Sequence, residues 1–292
     1  MDASAALQFL ISGLTIGAIY AFVALGVSIV YSSCGIVNFA QGQFVMIGGM
    51  VAATLNAALS WPVPLAMLAG VVAAAATGAV FGRLFILPML AAGEFPLILV
   101  TLGLSVVTEA VAVVVWGTDP VILDSLVKVD PIRIHGATLG PDSIMIVTVI
   151  LAGLGLFSLF LTRTRWGRAM RATAVDRTVA ASLGINARYV IVLAFTLAAA
   201  FGGLAGALLT PLISTSAQTG LLMTLKGFTA AVLGGMASPA GAVAGGFLLG
   251  IIEAMASGYI SSTYQGVIAS AILILLLVLR PQGLFTAFAR QA

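Results

Sequence analysis

Of 292 residues, 61% are hydrophobic and only 7% charged, against roughly 45–50% and about 25% in ordinary soluble domains. That balance excludes a soluble catalytic domain. The net charge of +3, with no basic runs interleaved with aromatics, excludes nucleic acid as a partner. The apolar runs are continuous and do not alternate at period 2, which predicts an all-α, polytopic transmembrane helical bundle in one domain over residues 1–292, not a barrel.

Between Asp2 and Arg83 there is no charged side chain, and a span needs only about 20 apolar residues, so several spans lie there. No Lys or Arg precedes the first apolar run, which argues against a cleaved signal and predicts a retained first helix over residues 7–30. Gly13 and Gly17 give it one small-xxx-small face. Polar and small residues then interrupt the apolar sequence from Tyr31 to Gln43. The interruption reads either as a plain loop or as a broken or re-entrant helix, which is tolerated at membrane depth only where protein or a cavity surrounds it.

Apolar sequence resumes over 44–59, is punctuated by Trp61, Pro62 and Pro64, and continues over 65–87, with Pro88 as the expected stop. Residues 95–116 make a fourth span. The loop 118–142 holds Asp119, Asp124, Asp130 and Asp142 against Lys128 and Arg133, a balance of minus two. After a span over 143–161 come six arginines, 163, 165, 168, 171, 177 and 188, offset only by Asp176. Positive loops stay in the cytoplasm, so 163–188 is predicted inside and 118–142 outside.

Further spans are expected over 189–212, ended by Pro211, over a short Gly-rich 223–236, over 240–258, and over 266–279. Arg280 and Arg290 place the C-terminus in the cytoplasm. The count is nine spans with an extracytoplasmic N-terminus, falling to eight if a short break near Asn38 or Met223 is re-entrant. Cys34 is the only cysteine and His135 the only histidine, so neither an internal disulfide nor a cysteine or histidine metal cluster is expected. No cofactor is expected either.

Within the arginine segment, Ala172, Val175, Val179 and Leu183 follow 3, 4, 4 spacing and predict one narrow apolar face on a short helix. Gly184 suits a left-handed helix stop and Asn186 the cap of the next helix. A helix so small and apolar is expected to dock into a groove on a partner. The stretch Gly167-Arg-Ala-Met-Arg-Ala-Thr-Ala-Val-Asp-Arg-Thr-Val-Ala-Ala-Ser-Leu-Gly-Ile-Asn186 resembles the coupling loop of ABC importer permeases of the branched-chain amino acid type. The segments Gly13 to Tyr20, Gly35 to Gly42, Gly227 to Met236 and Arg280 to Phe285 are similar to the same family, closest to its shorter, H-type subunit. Gln41 departs from the histidine often found there.

The resemblance implies that Arg168, Arg171, Ala174, Asp176, Ala180, Gly184 and Asn186 couple the chain to ATPase subunits. It also implies two ABC ATPases, a second homologous permease, an extracytoplasmic binding protein, surrounding lipid and a cell (inner) membrane. Urea and short amides are alternative cargoes among such relatives. The sequence agrees that any motor is separate, because neither Lys128 nor Lys226 lies in GxxxxGK[ST] and phosphates have no cradle.

Ionisable residues inside spans are costly and mark function or tight pairing. Glu109, Lys226 and Glu253 are the candidates, as a polar lining or as a Glu–Lys helix pair. Asn38, Gln41 and Gln43 either line the pathway or cap broken helix ends. Thr101, Ser105 and Thr108 share a helix face with either role or simple back-bonding open to them. The competing class is a self-contained secondary transporter, which would need no docking helix.

Overall fold

A computed structural model describes residues 3–259 apart from 127–129 and 135, with isolated positions from 266 to 285. Among the described residues seven helices are long and apolar enough to cross a membrane, so the chain is a multi-pass helical bundle. The first of them, α1 (Ala3–Cys34), has 32 residues, about 48 Å of helix against a hydrocarbon core of about 30 Å. It forms the centre of the molecule, with Ala18, Ile19, Phe22 and Val23 fully buried.

Three helices close around α1: α9 (Ala187–Leu209), α10 (Thr219–Gly234) and α11 (Pro239–Tyr259). The α11 helix lies antiparallel to it, and a Cβ on Gly17 would stand 2.9 Å from the Phe247 carbonyl oxygen. Gly250 faces Gly17 in turn. Small residues at this spacing let the two backbones touch, which is how helices associate where lipid removes the hydrophobic drive.

Helix α2 (Gln41–Leu59) and α3 (Val63–Val80) pack on the other side of α9. Gly48 fits against Gly203, and Gly70 against Gly48. Pro88 does not stop the third span. The helix widens into a π-helical turn over Phe81–Ile86, where the Leu87 N–H reaches the Gly82 carbonyl, and continues through α4 (Leu87–Met89) and a 3-10 turn to Ala92. The wide turn shifts the carbonyls that a proline ring would otherwise strike.

Helix α5 (Glu94–Trp116) ends where the Trp116 Nε1–H donates to Thr54 Oγ1 of α2 at 2.7 Å. The loop that follows is more ordered than its composition foretold. Val121 pairs with Thr215 by two backbone hydrogen bonds of 2.8 and 2.9 Å, Leu123 is buried, and Ser125 Oγ contacts both carboxylate oxygens of Asp142 at 2.8 and 2.9 Å. A hairpin of β1 (Ile132–Ile134) and β2 (Ala137–Leu139) stands beyond, with Ile132 opposite Leu139. Its Thr138 N–H donates to Gln8 Oε1 at 2.7 Å, so the start of α1 and this loop share one end of the bundle.

At the opposite end, α6 (Pro141–Arg163) delivers the chain into α7 (Arg165–Val175) and α8 (Arg177–Ser182). Exposed Asp119, Asp124 and Asp130 thus stand at the loop end, and exposed Arg163, Arg165, Arg168, Arg171 and Arg188 at the arginine end. The 16 residues of α10 make about 24 Å of helix, too short for a full core. A partly buried break precedes it, with Thr210, Thr215 and Ala217 buried. The expected span over 266–279 lies outside the described residues save for single positions.

Candidate functional site

The interruption after α1 is a buried turn and not a plain loop. Gly35 takes φ +72°, and Ile36, Asn38, Ala40, Gln41 and Gln43 are all buried. Side chains from α5 and α10 and a backbone carbonyl of α9 hold it. Gln41 Nε2 donates to the Ala198 carbonyl of α9 at 2.9 Å, and Gln43 Nε2 to Ser105 Oγ of α5 at 3.0 Å. The Phe39 N–H donates to Thr101 Oγ1 at 3.3 Å, and the Gly42 N–H to Thr224 Oγ1 of α10 at 2.9 Å. The glutamines do not cap α2: its N-cap residue is Ala40, which has no capping side chain, and Thr224 takes the Gly42 N–H instead.

Asn38, Gln41, Gln43, Thr101 and Ser105 are therefore brought together at the start of α2, on two sides of that helix. Thr101 also back-bonds to Ile98 at 2.9 Å, and Thr108 bonds only to its own helix, at the Leu104 carbonyl, 2.6 Å away. Three buried atoms of this knot, Asn38 Nδ2, Gln41 Oε1 and Gln43 Oε1, have no hydrogen-bond partner among the described residues. Each such orphan costs about 1–3 kcal/mol. The orientation of two of the amides is fixed, because Asn38 Oδ1 accepts from the Ala40 N–H and Gln41 Nε2 is spent on a carbonyl. Unused donor and acceptor capacity at a helix break suits a polar solute or water.

The charged candidates fall into two places. Lys226 of α10 forms an ion pair with Glu253 of α11, and the other Glu253 oxygen accepts from the Tyr20 hydroxyl of α1 at 3.0 Å. Glu253 is buried, while the Lys226 side chain keeps a quarter of its surface. Its Nζ lies 6.0 Å from the centre of the Tyr20 ring, within reach of its negative face. The two residues thus form an ion pair between α10 and α11. Glu109 does not join them: it is half-buried on α5.

Thr224 and Tyr20 escaped the sequence reading. Thr224 stands two positions before Lys226 in the Gly-rich segment, and its hydroxyl could have been read as the partner of a broken backbone. Tyr20 is the one phenol in an otherwise apolar first span.

At the arginine end, Thr164 caps α7 by accepting from the Gly167 N–H at 3.0 Å. Gly167, Met170 and Thr173 face the bundle, and Arg165, Arg168, Arg171 and Ala174 face away from it. The expected single helix is in fact two. Asp176 ends α7 and its Oδ1 accepts from the Val179 N–H at 3.1 Å, so the side chain that breaks one helix caps the next.

Ala180 is buried beneath that junction. The stop at Gly184 is as expected: φ is +81°, its N–H bonds to Ala181 and that of Ile185 to Ala180, both at 3.0 Å, the paired pattern of a Schellman motif. Asn186 Oδ1 accepts from the Arg188 N–H at 3.1 Å. Val175, Val179 and Leu183 of the predicted apolar face remain 89%, 56% and 74% exposed, three apolar knobs among arginines.

The family described as the branched-chain amino acid transport system, permease component, matches residues 9–277. The high-affinity branched-chain amino acid transport system permease protein LivH of Escherichia coli K12 is 34% identical, over 95% of this chain and 94% of its own. BraD of Pseudomonas aeruginosa, of the same description, is 34% identical over 95% of both chains. LivM of Escherichia coli K12, also such a permease protein, is 30% identical over 48% of this chain and 33% of its own length. No solved structure matches. On this end-to-end agreement the chain belongs to the family of branched-chain amino acid transport permease components.

Proposed function

We propose that this chain is the H-type permease subunit of an ABC importer that moves branched-chain and other hydrophobic amino acids across a bacterial inner membrane. The observation that carries the reading is the match to LivH over nearly the whole of both chains. An extracytoplasmic binding protein delivers the cargo, a second permease related to LivM completes the pore, and two separate ATPases drive it. The arginine end is cytoplasmic by the positive-inside rule, which puts the start of α1 and the hairpin outside. The Leu284 N–H bonds to the Leu233 carbonyl at 2.9 Å, which supports a cytoplasmic C-terminus.

On this reading Arg168, Arg171, Ala174, Asp176, Gly184 and Asn186 form the docking surface for an ATPase, with the buried Ala180 packed beneath it and Val175, Val179 and Leu183 entering a groove on the partner. The knot of Asn38, Gln41, Gln43, Thr101 and Ser105 lies on the route of the cargo, with Glu109 beside it and the Lys226–Glu253 pair bracing the wall. Purified with its partners in proteoliposomes, the importer takes up radiolabelled leucine and isoleucine when ATP is on the ATPase side. Uptake of urea in preference to leucine, or uptake by this chain alone, would overturn the assignment.

Gly184 supplies a test of docking. Nothing lies within 4 Å of a Cβ built there, so Gly184→Val meets no clash and acts through the left-handed backbone alone, at about 1–2 kcal/mol. The variant is expected to insert in wild-type amounts yet lose at least fivefold of ATPase co-purification and uptake together. Gly155→Val, also in open space, serves as the matched control.

A further inference from the structure

At the loop end of the bundle a partly buried break separates α9 from α10. There α9 has already stopped at Leu209 while α10 has not begun until Thr219, and the intervening break runs down to Gly42 and Thr224. Gly49 lies beneath this break, packed against the hydroxyls of Thr210 and Thr215, which bond to each other at 2.8 Å. What covers it is the stretch from Asp119 to Leu126. Val121 gives both of its backbone groups to Thr215 and packs against both of the larger apolar cores, the one around Phe22 and Ile146 and the one around Phe44 and Phe195.

Leu123 is inserted into the first of those cores, and Ser125 ties the far side of the stretch to Asp142 at the start of α6. The cover has no helix or sheet of its own to stiffen it, since the pairing at Val121 is a single isolated bridge. Gly117, at φ +80° with open space around it, joins it to α5 through a backbone that few side chains adopt.

We propose that residues 119–126 are a strap that closes the external mouth over the break between α9 and α10, and that cargo enters only when the Val121–Thr215 pair parts. The proposal rests on the importer reading and adds to it the external gate. On this proposal the cargo passes from beneath the strap to the buried amides of Asn38, Gln41 and Gln43, whose Nδ2 and Oε1 atoms have no hydrogen-bond partner among the described residues.

The pairing itself supplies the test. Two residues that exchange both backbone hydrogen bonds across antiparallel chains hold their Cα atoms about 5.5 Å apart, inside the range a disulfide bridges. With Cys34→Ala removing the only natural thiol, the variant Val121→Cys with Thr215→Cys is assembled with its partner subunits in proteoliposomes and oxidised. The disulfide is expected to form in most of the protein, to cut leucine uptake at least tenfold, and to release uptake fully on reduction. The single-cysteine variants are expected to ignore the oxidant.

Undiminished uptake by the cross-linked protein, or failure of the pair to cross-link, would overturn the strap. A reduced importer that moves no leucine would count against the importer reading and not against the strap, which has a readout that needs no cargo. In hydrogen exchange on the resting importer, the peptide over 119–126 is expected to exchange at least tenfold faster than the buried centre of α9. Equal protection of the two would also overturn it.

Discussion

Lys226→Met is expected to be the most damaging single change in the chain, because it removes the cation beside the buried Glu253 carboxylate, whose charge the neutral Tyr20 hydroxyl does not balance. Breaking a buried pair from one side costs about 3–5 kcal/mol. Glu253→Gln should cost less, since the Lys226 side chain is a quarter exposed and its ammonium can turn toward water or headgroups. The double variant leaves a neutral amide beside a methionine and is expected to recover at least about 2 kcal/mol of the summed losses, a coupling well above additivity. Thermal unfolding in detergent, followed by size-exclusion, measures the cycle. If the two losses simply add, the pair holds nothing together.

Gly42→Val should be nearly as severe, for a different reason. A Cβ there overlaps the Gly220 carbonyl and the backbone nitrogen of Thr224, and the shift needed would pull the Gly42 N–H from Thr224 Oγ1. Overpacking alone costs about 1–3 kcal/mol, and the stranded backbone donor adds about 1–3 kcal/mol. Folded yield after solubilisation should fall at least tenfold, while Gly103→Val, with nothing within 4 Å of its Cβ, should leave it unchanged. Equal yields would mean that α10 gives way at little cost and is not seated against the break.

The spans were readable because lipid imposes a length and a composition that no tertiary contact can overrule. The break after Cys34 was visible as polarity, but its burial was not, since Asn38 and Gln43 look the same in a loop as in a knot held by Ser105 and Thr224. The Lys226–Glu253 pair was legible because a charge at membrane depth has few ways to be stable. Tyr20 went unread because a phenol is at home in an apolar run.

The 3, 4, 4 spacing misled for a physical reason. Spacing records which residues share a face of an unbroken helix, and Asp176 interrupts the helix at the one position where a carboxylate can cap the next. The loop 118–142 was the least legible part, because its order comes from Thr215 and Gln8, far away in sequence.

The central place of α1 bears on how the protein is made. Tyr20 and Glu253 stand 233 positions apart, and at about 5–20 residues per second the helix synthesised first waits on the order of ten to fifty seconds for α11. Until then Gly13, Gly17 and Tyr20 face lipid with nothing to hold. The newborn chain is thus hollow at its core, and nonsense truncations anywhere before α11 should be degraded as unassembled helices even when every earlier span has been inserted.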